Sequence, residues 1–229
     1  MNLFDILGPV MVGPSSSHTA GAVRIGYIGA VLLQEKPVHA KITLHGSFAT
    51  TGKGHGTDRA LIAGLLGMHP DDMRIPESFQ IAEEKGLSFE FLSGVIKDAH
   101  PNTALMELTG ENGRTLSVQA SSIGGGRILV NKLDGIEVNF SAEKPTLIVH
   151  NQDQPGHVAE VTNRLSRCCV NIAAMQLYRD HRGGYAVMVI ETDQPIPLDS
   201  IQWLEHLPGI LKVTYVNSDT VEKTDEKEQ

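Results

Sequence analysis

Residues 38–45 alternate strictly, with Val38, Ala40, Ile42 and Leu44 on one side and His39, Lys41, Thr43 and His45 on the other. Period-two alternation predicts a half-buried strand. The stretch before it, Thr19 to Gln34, is apolar nearly all round with Arg24 its only charge, which predicts a helix in the interior. After a glycine-rich stretch at 45–60, Thr57 reads as an N-cap and Asp58 as first-turn negative charge, followed by helix over Ala60–Leu66 that ends near Gly67. Pro76 to Gly86 is an amphipathic helix with proline at its start and glycine at its end. Strand patterns follow at Ser88–Leu92, Thr103–Thr109, Arg114–Ser122, Arg127–Asn131 and Ile136–Phe140, with Glu111-Asn112-Gly113 as a hairpin turn.

The polar run Ser141 to Pro145 separates this part from a second, complete pattern. There Thr146–His150 is a strand and His157–Cys169 a helix, with Val158, Val161, Leu165 and Cys168 expected in the core. Strands at Val170–Arg179 and Tyr185–Thr192, a helix at Leu198–His206 and a strand at Ile210–Val216 complete it. The order βαββαβ in about 70 residues is the ferredoxin-like arrangement. The fold class is therefore α+β, with a first domain over residues 1–141, a second over 146–217 and a charged tail, 218–229, expected to be disordered.

Composition narrows the function. Among 229 residues, Lys and Arg number 19 against 27 Asp and Glu, a formal net charge of -8. That balance argues against nucleic-acid partners and against anionic membrane surfaces, while leaving room for small basic pockets. The amino terminus, MNLFDI, carries no basic stretch, and the longest apolar run, Ile25 to Leu33, is far short of a spanning helix, so a cytoplasmic protein is expected. Its two cysteines, Cys168 and Cys169, are neighbours. They suit neither a disulfide framework nor joint chelation of one metal, and no metal ligand is expected in this chain.

Two segments lead the candidate chemistry, and two others follow. Gly13-Pro14-Ser15-Ser16-Ser17-His18-Thr19 puts three hydroxyls ahead of a helix, where one can cap it and the rest, with free N–H groups, can hold a carboxylate or phosphate. A plain serine-rich cap beside an incidental histidine is the alternative. The segment Gly46 to Asp58, GSFATTGKGHGTD, reads as a loop holding Lys53 and His55 among Gly52, Gly54 and Gly56. It is not a P-loop, since no Ser or Thr follows the lysine. His55 could serve as general base or acid and Lys53 could hold a carboxylate, or the segment could be a flexible turn. Ser121 to Arg127, with its three glycines, is either part of an anion pocket or a plain strand connection. In the second domain Asp153-Gln154-Pro155-Gly156-His157 joins strand to helix, a corner that could bind a carboxylate or simply cap the helix.

GPSSSHT and GSFATTGKGHGTD resemble the β-chain of the two-chain, iron–sulfur-dependent bacterial L-serine dehydratases, and TLIVHNQDQPGHVAEVTNRL resembles an ACT domain, the small amino-acid-sensing module. The amino-terminal half also resembles the allosteric substrate-binding domain of some phosphoglycerate dehydrogenases. The resemblance implies a 4Fe–4S cluster rather than pyridoxal phosphate, with its cysteine ligands on a partner α subunit, because a cluster needs at least three thiolates. It implies L-serine as substrate and two catalytic histidines, His55 as base and His18 as its support or as a proton relay. Ser15, Ser16, Ser17, Thr19, Thr51 and Lys53 would bind substrate. Asp153, Pro155, Gly156 and His157 would bind a regulatory amino acid, and the ACT domain would also serve in pairing. A non-catalytic amino-acid-sensing subunit is the alternative.

Overall fold

A computed structural model describes residues 11–217, the side chain of Lys53 excepted. The tail at 218–229 lies outside the described residues. Two compact units divide between Gly135 and Ile136. Among the described residues no helix is long and apolar enough to cross a membrane.

The first unit begins with a π-helical turn, Ser16–Ala20, that runs directly into α1 (Gly21–Leu33). Then come β1 (Pro37–Gly46), α2 (Ser47–His55), α3 (Thr57–Leu65), a 3-10 turn at Ile75–Glu77, α4 (Ser78–Glu84) and β2 (Ser88–Ser93). Strands β3 (Asn102–Gly110), β4 (Thr115–Gly124) and β5 (Arg127–Leu133) form an antiparallel meander in the order β2-β1-β3-β4-β5, and β6 (Ile136–Phe140) follows as the first strand past the division between the units. β2 is parallel to β1, so α2 to α4 form the crossover between them. The alternation in β1 holds from Ala40 on: Ala40, Ile42 and Leu44 are buried and their neighbours are not, whereas Val38, expected on the same side, is half-buried beside the register shift between Pro37 and His39.

Helices α1 and α3 pack backbone to backbone. A Cβ at Gly26 would collide with the carbonyl oxygen of Leu61, and one at Gly64 with that of Val23. Only glycine permits that approach, which fixes where the start of α1 lies relative to the α2–α3 junction.

The largest departure from the sequence reading is α2. Residues 47–55 form a helix rather than a loop. Glycine and threonine are weak helix formers, but tertiary anchoring wins. The Ser47 and Phe48 N–H groups donate to the Pro101 carbonyl at 2.8 and 3.4 Å, and the Phe48 side chain is fully buried. Thr50 Oγ1 donates back to the Gly46 carbonyl at 3.2 Å and Thr51 Oγ1 to the Ser47 carbonyl at 2.8 Å. Gly56, at φ 70°, breaks the chain between the two helices and takes the N-cap position of α3 that Thr57 was expected to hold. The Thr57 hydroxyl is instead buried with no hydrogen-bond partner.

The second unit contains β7 (Thr146–Gln152), α5 (His157–Arg167), β8 (Ile172–Arg179), β9 (Tyr185–Thr192), α6 (Leu198–Glu205) and β10 (Ile210–Val216). The sheet order β10-β7-β9-β8, antiparallel throughout, is that of a ferredoxin-like unit. Leu147, Val149, Met188 and Ile190 on the sheet pack against Val161, Leu165 and Leu204. Val158 does not join them and is 40% exposed. His157, Val161 and Leu165, spaced four apart, form the buried stripe of α5 and turn Val158 outward.

Candidate functional site

The two sequence segments meet through His18. Ser15, in an extended conformation, caps the π-helical turn by accepting the His18 N–H on its Oγ at 3.1 Å. The same Oγ lies 3.4 Å from Nδ1 of the His18 ring. The other ring nitrogen, Nε2, lies 3.1 Å from both Ser47 Oγ and Thr51 Oγ1 on the first turns of α2. Phe48 meets the ring edge-on, centroids 5.4 Å apart. His18 is thus bolted between the cap of one helix and the first turns of another.

His55 closes α2 on the same face. Its Nδ1 is 3.0 Å from the Thr51 carbonyl oxygen. A carbonyl can only accept, so Nδ1 carries the hydrogen and Nε2 is left with its lone pair, on an exposed side chain. The His18 and His55 rings lie 5.0 Å apart, tilted by 37°. Burial, and then the nearby positive charge that His55 acquires on protonation, push the His18 pKa below the usual imidazole value, with Ser47 pulling weakly the other way. Its surroundings thus disfavour the charged form of His18, beside an exposed partner.

Ser16 and Ser17 sit half-buried in the first turn, where helix N–H groups favour an anion. Ser15 is committed to His18. Thr19 points inward, its hydroxyl buried without a partner and close to Gly13. Lys53 belongs to α2, and its side chain lies outside the described residues. Ser47 was not singled out from the sequence. Its signal is the spacing Ser47, Thr51, His55, one face of a helix, which is invisible while the segment is read as a loop. Ser121 to Arg127 spans the end of β4, the Gly125-Gly126 turn and the first residue of β5, and Arg24 donates to the Gly126 carbonyl at 3.1 Å.

In the second unit Asp153 ties two loops together: its Oδ2 accepts from Arg179 at 3.0 Å and from the Gly183 N–H at 2.9 Å. The Gly183 hydrogen bond, then that of Arg179, holds its carboxyl below the usual carboxylate range. Gly156, at φ 107°, precedes α5 with open space where a side chain would be. The His157 ring is buried against Gly209, and neither nitrogen has a hydrogen-bond partner. The cysteines offer no metal site. Cys168 Sγ lies 3.0 Å from Ser200 Oγ, Cys169 is exposed, and among the described residues no three His, Cys, Asp or Glu are grouped to hold a metal.

Residues 2–86 match the family model for the serine dehydratase beta chain. Over 215 residues the chain is 43% identical to the "Probable L-serine dehydratase, beta chain" of Bacillus subtilis (strain 168), covering 94% of this chain and 97% of that one. It is 38% identical over 194 residues to the "L-serine dehydratase, beta chain" of Peptoniphilus asaccharolyticus, covering 84% and 87%. It is also 30% identical over 241 residues to an "L-serine dehydratase" of Helicobacter pylori (strain ATCC 700392 / 26695), covering 93% of this chain but 52% of that longer one.

Proposed function

The chain belongs to the serine dehydratase β-chain family, and from that premise we propose that it works in the cytoplasm as one half of an L-serine dehydratase, contributing the base and part of the carboxylate site. The observation that carries the reading is His55, whose Nδ1–H is bound to the Thr51 carbonyl at 3.0 Å so that Nε2 is free to take a proton. The reaction removes water across Cα–Cβ of L-serine; the aminoacrylate so formed tautomerises and hydrolyses to pyruvate and ammonia. The Cα proton is weakly acidic, so its acceptor must be neutral and within hydrogen-bond reach. His55 Nε2 takes that proton. Ser16 and Ser17, at the helix start, hold the substrate carboxylate together with Lys53. His18 stays neutral and fixes the distance between that carboxylate site and the base.

A 4Fe–4S cluster does not fit this chain. Two adjacent cysteines cannot supply three thiolates, and Cys168 is engaged with Ser200. The cluster is therefore assigned to a partner α chain, and the steps above are those of this chain's residues alone. The Helicobacter pylori relative supports the division: this chain corresponds to 52% of it. The second unit, with Asp153, Pro155, Gly156 and His157 at the β7–α5 corner, is assigned the role of an ACT-type module that senses an amino acid or joins subunits.

The test is serine-dependent pyruvate formation by complexes captured anaerobically with this chain as bait, with the isolated chain as control. Turnover in the complex alone, with iron–sulfur absorbance, is the expected result. An intact complex with its cluster and no turnover would overturn the reading in favour of a purely sensory subunit.

A further inference from the structure

We infer that Ser47 is a positioning residue that, with Thr51, holds His18 as the Nε2–H tautomer; the inference deepens the proposed function and rests on it for its kinetic consequence. The argument counts hydrogens. Thr51 Oγ1 has one, and it goes to the Ser47 carbonyl at 2.8 Å, an acceptor only. Toward its two other neighbours, Ser47 Oγ and His18 Nε2, both at 3.1 Å, Thr51 Oγ1 therefore accepts. The Ser47 hydroxyl hydrogen is then the one that fills the Ser47–Thr51 contact, and Ser47 Oγ presents only lone pairs to His18 Nε2, 3.1 Å away. Both contacts of Nε2 are now with acceptors, so Nε2 must carry the hydrogen. The opposite assignment, with Ser47 donating to a bare Nε2, sets Thr51 Oγ1 lone pair against lone pair at 3.1 Å on two sides.

The consequence runs to the other end of the ring. With Nε2 protonated, Nδ1 is a lone pair facing Ser15 Oγ at 3.4 Å. Ser15 Oγ already accepts the His18 N–H, so its own hydrogen is left to point at Nδ1. A directed chain results: Ser15 to His18, His18 to Ser47 and Thr51, Ser47 to Thr51, Thr51 to the α2 backbone. It holds the serine-bearing turn against the helix that carries His55. The two histidines end in opposite tautomers, His18 with hydrogen on Nε2 and His55 with hydrogen on Nδ1. Only His55 is left with an open Nε2.

Two readouts test this separately from the reaction itself. In the full chain labelled with 15N-histidine, long-range 1H–15N spectra distinguish the tautomers, with His18 identified by its loss in His18→Gln. The expected pattern is Nε2–H for His18, preserved in Ser47→Thr and in Ser47→Ala, where Thr51 Oγ1 still accepts, and turned into a mixture in the isosteric Thr51→Val, which releases the Ser47 hydroxyl to donate to Nε2. In the complex with the α chain, Ser47→Ala should lower kcat by about tenfold, the equivalent of one lost hydrogen bond, and Ser47→Thr should restore it. An Nδ1–H tautomer for His18 in the unmodified chain, an unchanged tautomer in Thr51→Val, or unchanged kcat in Ser47→Ala would each overturn the inference. A complex that turns over no serine would sink the proposed function, while the spectra still decide the tautomer.

Discussion

His18 and His55 are 37 residues apart in sequence, yet their rings lie 5.0 Å apart because one precedes α1 and the other closes α2. Under the proposed function, their unlike surroundings give them different work. His18 is wedged between Ser15, Ser47, Thr51 and Phe48, whereas His55 is exposed and keeps one nitrogen unbound by its own helix. Removing the support should cost less than removing the base. His18→Gln is expected to lower kcat of the complex by about tenfold, against at least about a hundredfold for loss of a general base. Equal losses in the two variants would show that His18 shares the proton-transfer step.

The Gly26–Gly64 crossing of α1 and α3 fixes where those two histidines arrive. Gly64→Ala places a methyl group against the Val23 carbonyl, which backbone cannot yield cheaply. Overpacking of this kind costs about 1–3 kcal/mol. The urea midpoint of the chain should fall accordingly, and crystallographic or NMR contacts between His18 and His55 should loosen. An alanine variant with unaltered stability would mean that the helices can slide apart without strain.

Acid should weaken the second unit through His150. Burial, and then the positive charge of Lys212, push its pKa down to about 4, and the ring meets the Tyr185 hydroxyl. In the unfolded chain an ordinary histidine takes up its proton near pH 6.5. The unfolded state thus binds the extra proton first, so stability is complete above about pH 6.5 and is lost as the pH falls from there toward 4. Each unit of that window is worth about 1.4 kcal/mol. Urea titrations at pH 7 and 4.5 should show His150→Gln losing about 2–3 kcal/mol less than the unmodified chain. Equal losses would place the acid sensitivity elsewhere.

Much of this was legible in the sequence because it is local. The alternation of β1, the Asn112-Gly113 turn and the βαββαβ order each announce themselves within a few residues. What the sequence hid depends on partners far along the chain. The segment around Gly52 and Gly54 looks like a loop until Pro101 accepts the first N–H groups of α2 and Phe48 enters the core. With the helix unseen, the shared face of Ser47, Thr51 and His55 is unseen too. The outward turn of Val158 was hidden for a similar reason, since a buried His157 is not what a polar side chain suggests. The SSSHT and GSFATT segments are each visible in the sequence, but their meeting at His18 Nε2 is a tertiary fact.

The most direct measurement of the central claim is pyruvate formation by the complex assembled with His55→Gln. The account predicts turnover reduced by about 10²–10⁴-fold, the contribution of a general base, with α-chain pairing and cluster absorbance unchanged. Turnover equal to that of the unmodified complex would remove His55 from the chemistry and contradict the account.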